Sequence, residues 1–253
     1  MPLPNTEDSL TRDLADLGLD AGMTVMVHSS LGQVGWTVGG PLTVVRALLA
    51  RLGPEGTLVM PAATPELSKP NGSPDGQDAI QAISPVFDAA STPSSMGAIA
   101  EAFRTHPGTF RSNHPLNSVC ARGPLAEEIT GEHALAFSEA EGTPYEKLYD
   151  LAAHTLLLGV GFNRCTSLHF AESRVPQRRV EITRFPELRE GACVWVEVPT
   201  MGTDNSTHFP AAGAAFAAEV GLARGRVGAA EALFFPTRAL VDFATPYFAR
   251  VLA

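Results

Sequence analysis

The amino-acid sequence predicts a single α/β domain built on a largely parallel or mixed central sheet. Three observations predict it. The chain opens helix–strand–loop–helix–strand, the βαβ order of a parallel sheet. An apolar segment at 155–160, closed by Gly159-Val160-Gly161, reads as a buried central strand. No internal repeat and no clean linker divides the 253 residues, a length one large α/β domain accommodates.

Each element has its own signal. Leu10, Leu14 and Leu17 recur at helical spacing after Glu7-Asp8, and Gly18 suits the stop. Residues 23–28 alternate and carry β-branched Val25 and Val27, so a strand follows. A glycine-rich loop covers 31–40. Pro41 then fits the first turn of a helix over 42–52, which Gly53 ends. Residues 57–60 form a second strand. From 62 to 95 the text turns to Pro, Ser, Asp, Gly and Asn, a loop long enough to be a lid or a disordered segment. Helical text returns at 96–104, 124–130 and 144–151, with a strand at 118–121. A later strand alternates over 193–198. The terminal amphipathic helix, 236–252, is interrupted at Thr245-Pro246.

Composition narrows the function classes. Lys+Arg total 18 against Asp+Glu 27, a net charge of -9. That sign disfavours nucleic acid, whose binding rests on Lys and Arg neutralising phosphates. It favours a cationic ligand if the acids line a cleft, although an acidic surface also simply confers solubility. Cys120, Cys165 and Cys193 form no CxxC pair, which fits a reduced cytosolic compartment. The N-terminus has no signal-peptide pattern, and no apolar run approaches the ~18 residues of a membrane helix. The reading is a cytoplasmic protein with no membrane partner.

Ligands of open α/β sheets bind beyond the carboxyl ends of the strands, and three segments reach that position. The first is Val27-His28-Ser29-Ser30-Leu31 with the glycine loop behind it. Its amides, ahead of a helix, can cradle phosphate; a plain strand-to-helix turn is the alternative. The second is Arg111-Ser112-Asn113-His114-Pro115. Pro115 holds His114 in extended or turn geometry, and an imidazole fixed there can accept a proton near neutral pH. The alternative is a surface-loop histidine. The third is Thr166-Ser167-Leu168-His169-Phe170-Ala171-Glu172. If helical, His169 and Glu172 share a face. HxxE can ligate a metal, but no third ligand sits at a familiar spacing, so no metal is expected. More plainly, Glu172 pairs with an amine or orients an imidazole while His169 is structural. Cys120 and Cys165 are either nucleophiles or small buried apolar residues.

Further segments complete a pattern: Gly39-Gly40, Gly56-Thr57-Leu58-Val59-Met60-Pro61, Phe87-Asp88, Thr92-Pro93-Ser94-Ser95-Met96-Gly97, Ser118 and Tyr145-Glu146-Lys147-Leu148. In this order, from about Leu10 to Glu172, they resemble the aminoglycoside 3-N-acetyltransferase family, which moves acetyl from acetyl-CoA to an amine. The resemblance implies a three-layer α-β-α fold, distinct from the GCN5-related acetyltransferases. It implies a CoA site at Ser29, Ser30, Leu31, Val34, Gly35, Gly39, Ser95, Met96, Gly97 and Ser118. It makes His114 the general base and Glu172 the acidic partner at the acceptor, with His28 near the acyl group. Asp75 and Asp204, with Glu172, are expected to line the pocket of a cationic small-molecule amine. Transfer is expected to be direct, and a homodimer is left open. The rivals are an acetyltransferase for another amine, a Cys/His hydrolase, and a non-catalytic acyl-CoA binding module.

Overall fold

A computed structural model describes residues 3–68, 85–202 and 207–253. Its main sheet has seven strands in the order β3-β4-β2-β1-β5-β9-β8. They are β1 (Thr24–Ser29), β2 (Thr57–Pro61), β3 (Phe110–Arg111), β4 (Val119–Arg122), β5 (His154–Leu158), β8 (Ala223–Val227) and β9 (Ala230–Pro236). The sheet is mixed. β2, β1 and β5 run parallel at its centre, and the wings pair antiparallel. A separate hairpin joins β6 (Glu181–Arg189) to β7 (Ala192–Thr200).

Strand alternation builds the three layers, because successive side chains point to opposite faces. Val25, Val27, Leu58, Met60, Leu156 and Leu158 enter one core with Leu10, Leu14, Val44, Leu48 and Phe103 from helices Glu7–Asp16, Pro41–Leu52 and Ala98–Arg104. Met26, Val59, Leu157 and Phe235 enter the other. There they meet Leu148, Leu168, Phe216 and Phe248 from helices Pro144–Asp150, Ser167–Ser173, Phe209–Glu219 and Thr237–Val251.

Three expectations change in detail. The glycine loop begins as a short helix, Leu31–Val34, and is pinned by the N-terminal segment. Asn5 donates its side-chain amide to the Val34 carbonyl at 2.8 Å, and the backbones of Asn5 and Thr37 form a parallel bridge. The terminal helix is unbroken over Thr237–Val251 with Pro246 inside it. Thr245 donates its hydroxyl to the Val241 carbonyl at 2.8 Å, a side-chain bond within the turn where proline lacks an N–H. The 62–95 segment has a 3-10 turn at Pro65–Leu67, and residues 69–84 lie outside the described residues.

Candidate active site

The Arg111–Ser118 motif is largely scaffold. Arg111 donates to the carbonyls of Ala62, Ala89 and Thr92 and to the Ser118 hydroxyl, and its guanidinium lies 4.8 Å over the Phe87 ring. One cation thereby gathers the chain on both sides of the long loop. Ser118 is fully buried and spends its own proton on the Ala62 carbonyl at 2.8 Å. The expectation that it serves the cofactor is therefore corrected.

His114 requires a larger correction. It is 1% exposed, and its Nδ1 accepts the backbone N–H groups of Leu116 at 3.1 Å and Asn117 at 2.9 Å. Two donors on Nδ1 place the proton on Nε2, which donates to the Leu135 carbonyl at 3.2 Å. Both nitrogens are thus committed to backbone. Burial holds the pKa down to about 4, against a weaker upward pull from the Leu135 carbonyl. In this arrangement His114 has no lone pair for a substrate. It does not hydrogen-bond Glu172 among the described residues.

Glu172 instead binds the other imidazole. Helix Ser167–Ser173 follows β5 and sets His169 and Glu172 on one face, with His169 Nδ1 3.3 Å from Glu172 Oε2. Arg179 grips the same carboxylate with two bonds, Nε to Oε1 at 2.6 Å and Nη2 to Oε2 at 3.0 Å. Burial alone would raise the Glu172 pKa, but the bonds and charges of Arg179 and His169 outweigh it and hold it below the ordinary carboxylate value. The Phe209 ring meets the His169 ring edge-on at 4.7 Å. No described residue hydrogen-bonds His169 Nε2. His169, read as structural from the sequence, is therefore the imidazole with an orienting carboxylate on one nitrogen and a free lone pair on the other.

A second carboxylate escaped the sequence reading. Glu139 is 6% exposed, and the charges of both His169 and Glu172 act on it. Burial raises its pKa, His169 and the Ser138 hydroxyl oppose that, and Glu172 adds to it. Glu139 sits in the irregular stretch between helices Ala126–Gly131 and Pro144–Asp150. Its neighbours Ser138 and Ala140 form no recognisable motif, and only its contacts single it out.

The predicted cofactor residues divide. Ser29, Ser30 and Leu31 are half-buried at the carboxyl end of β1, and no described residue hydrogen-bonds either serine hydroxyl. Gly39 is exposed at φ 79 just before helix Pro41–Leu52, where a Cβ would lie 2.5 Å from the Thr43 hydroxyl. Ser95, Met96 and Gly97 are at least partly accessible ahead of helix Ala98–Arg104. The Ser95 hydroxyl donates to Glu66 Oε2 at 2.8 Å, so among these serines only Ser29 and Ser30 keep hydroxyls that no described residue binds. Val34 is corrected, because it is fully buried and its carbonyl is taken by Asn5 and Ala229. Gly35 lies against Ala229, where an added Cβ would come within 3.3 Å, and serves that anchor. His28 is 5% exposed, and its Nε2 has no hydrogen-bond partner among the described residues. Burial depresses its pKa to about 4, so the ring is neutral. Asp75 and Asp204 lie outside the described residues.

The cysteines lose their nucleophile reading. Burial pushes the thiols of Cys120 and Cys165 up to about 12, a value at which almost no thiolate exists near neutral pH. No group of three His, Cys, Asp or Glu side chains able to hold a metal occurs among the described residues. No described helix is long and apolar enough to cross a membrane.

An α/β fold with a carboxylate-bound imidazole and accessible strand-end serines is the framework of a transferase. The sequence profile described as aminoglycoside 3-N-acetyltransferase matches residues 26–249. The prophage-derived aminoglycoside N(3')-acetyltransferase-like protein YokD of Bacillus subtilis is 39% identical, covering 97% of this chain and 93% of its own. Its crystal structure superposes with a TM-score of 0.93, covering 99% and 96% of the two chains. Aminoglycoside N(3)-acetyltransferase III of Pseudomonas aeruginosa is 32% identical over 97% of this chain and 94% of its own. The structure of AAC-IIIb with CoASH has a TM-score of 0.87 at 29% identity, covering 98% and 97%. The chain belongs to the aminoglycoside 3-N-acetyltransferase family and is an acyltransferase.

Proposed function

We propose that the protein acetylates the 3-amino group of an aminoglycoside, with His169 as the general base. The observation that carries this reading is the contrast between two imidazoles. His114 has both nitrogens bound to backbone, whereas His169 presents a free Nε2 and an Nδ1 oriented by Glu172.

An amine attacks only when neutral, and sugar amines are largely ammonium near pH 7. Glu172 and Glu139 attract the cationic acceptor, which first sheds one proton to solvent. His169 Nε2 removes a second proton from the nitrogen as the N–C bond forms at the thioester carbon. Glu172 steadies the resulting imidazolium, the role a carboxylate plays in hydrolase triads. His28, in its Nε2–H form, donates to the thioester oxygen as that oxygen gains negative charge. His169 then returns its proton to the departing thiolate. The C–S bond breaks, and the products are the acetamide and CoASH. Ser29, Ser30 and the Gly39 entry hold the pantetheine and phosphates. The raised thiols of Cys120 and Cys165 favour direct transfer over an acyl-cysteine route.

The test is steady-state turnover of gentamicin and related aminoglycosides with acetyl-CoA, followed by thiol release. His169→Ala should lower kcat by about 100-fold or more, with CoA affinity by calorimetry unchanged. Near-normal turnover in that variant refutes the assignment. No turnover of any aminoglycoside by the native enzyme, with CoA binding intact, would assign a different amine as acceptor.

A further inference from the structure

His133 belongs to no motif and takes no part in the chemistry above, yet it anchors the segment that carries Glu139. Its Nδ1 lies 2.8 Å from the Ser112 hydroxyl, which in turn accepts the Val119 N–H at 2.8 Å. Its Nε2 lies 2.8 Å from the Ser138 carbonyl. A carbonyl can only accept, so the neutral ring carries its proton on Nε2 and accepts from Ser112 on Nδ1. The ring packs on His114 with centroids 4.6 Å apart. His114 grips the neighbouring Leu135 carbonyl by the same tautomer. Two imidazoles therefore seize two carbonyls of one irregular segment.

That segment transmits their grip to the site. The Ser138 hydroxyl accepts from the Asn117 side-chain amide at 2.7 Å and donates to Glu139 Oε2 at 2.9 Å. Phe137, just before Ser138, holds a left-handed φ of 49, a conformation that side chains other than glycine keep only when their surroundings enforce it. Burial above all, then the neighbouring His114 and the Lys147 ammonium, opposes a charge on His133 against the pull of the Ser138 carbonyl, and so keeps the ring neutral as the clamp needs.

We propose that His133 is a positioning residue for acetyl transfer. As a neutral Nε2–H donor it fixes the Ser138 backbone and, through the Ser138 hydroxyl, the Glu139 carboxylate. The proposal rests on the reading of His169 and Glu139 as members of the reacting site.

The experiment compares His133→Leu, which removes the donor, with His133→Gln, whose side-chain amide restores it, and with Glu139→Gln. Readouts are kcat, KM for acetyl-CoA and for gentamicin, and the melting temperature. His133→Leu should lower kcat by about 10- to 100-fold and leave the acetyl-CoA KM unchanged. His133→Gln should recover most of that kcat. Unchanged kcat in His133→Leu overturns the proposal. So does an equal loss in the Leu and Gln variants, which would mark His133 as merely structural. Full activity in Glu139→Gln would sink the reading of the site itself. Loss there with His133→Leu unaffected would sink only the clamp.

Discussion

The proposed chemistry turns on which imidazole nitrogens the fold leaves unspent. His114 carries the stronger sequence signal, held between Arg111 and Ser118 and fixed by Pro115, and the fold uses that rigidity to staple two loops. Residue order discloses that an imidazole is held but not which atoms hold it, so the motif marks a fixed ring without showing that the backbone takes both its nitrogens. Glu172 was legible because HxxE on a helix puts two side chains on one face. Glu139 was not, since a carboxylate in irregular text looks like any solvated acid. The cysteines allow a direct check at this scale. Cys193 is exposed while Cys120 and Cys165 are buried with thiols pushed up to about 12. Maleimide should therefore label the native protein at Cys193 alone, with acetyl transfer retained, and label all three only after unfolding in urea. Rapid native labelling of Cys120 or Cys165 would contradict the burial argument.

Elements were legible where local chemistry and tertiary role agree. Helix Pro41–Leu52 has its proline at the start and glycine beyond its end, and β1 alternates between two cores. Those missed defy local rules for identifiable reasons. β6 contains Pro186, which disqualifies a central strand but costs little in a two-stranded ribbon where both strands are edges. β8 is almost wholly exposed and offers no apolar contrast. Helix Phe209–Glu219 is alanine-rich on every side, so no amphipathic stripe marks it. Its Gly213 has a packing reason. A Cβ there would lie 2.0 Å from the Phe162 ring, the contact that seats the helix and hence Phe209 against His169. Gly213→Ala gains about 1 kcal/mol of helix propensity. The clash with a rigid ring costs about 1–3 kcal/mol or more, so a lower melting temperature and a reduced kcat are expected. A variant that melts at or above the native temperature would show that the helix tolerates displacement.

For the molecule as a whole, the buried neutral histidines set its response to acid. His28 and His114 have folded pKa values near 4 and His133 near 3, all depressed chiefly by burial, against about 6.5 in an unfolded chain. Above about pH 6.5 these rings are neutral in both states and do not affect stability. As pH falls from about 6.5 towards 4, the unfolded chain binds protons that the folded protein refuses, so folding stability declines. Each fully buried ring contributes a slope of up to about 1.4 kcal/mol per pH unit. His28 and His114 carry most of the effect, and His133, which is only half-buried, carries less. Glu139 works in the opposite direction, since its raised pKa lets it take a proton early and relieves a buried charge. Glu172, with its pKa depressed, loses its stabilising pairs only at lower pH. Between about pH 6.5 and 5 the histidine slope should therefore dominate. Urea unfolding at pH 7.5, 6.5, 5.5 and 5 should show a plateau and then a fall, shallower in His133→Gln than in the native protein. A stability that stays level down to pH 5 would mean that these rings accept protons inside the fold, and the fixed-tautomer clamp would fail with it.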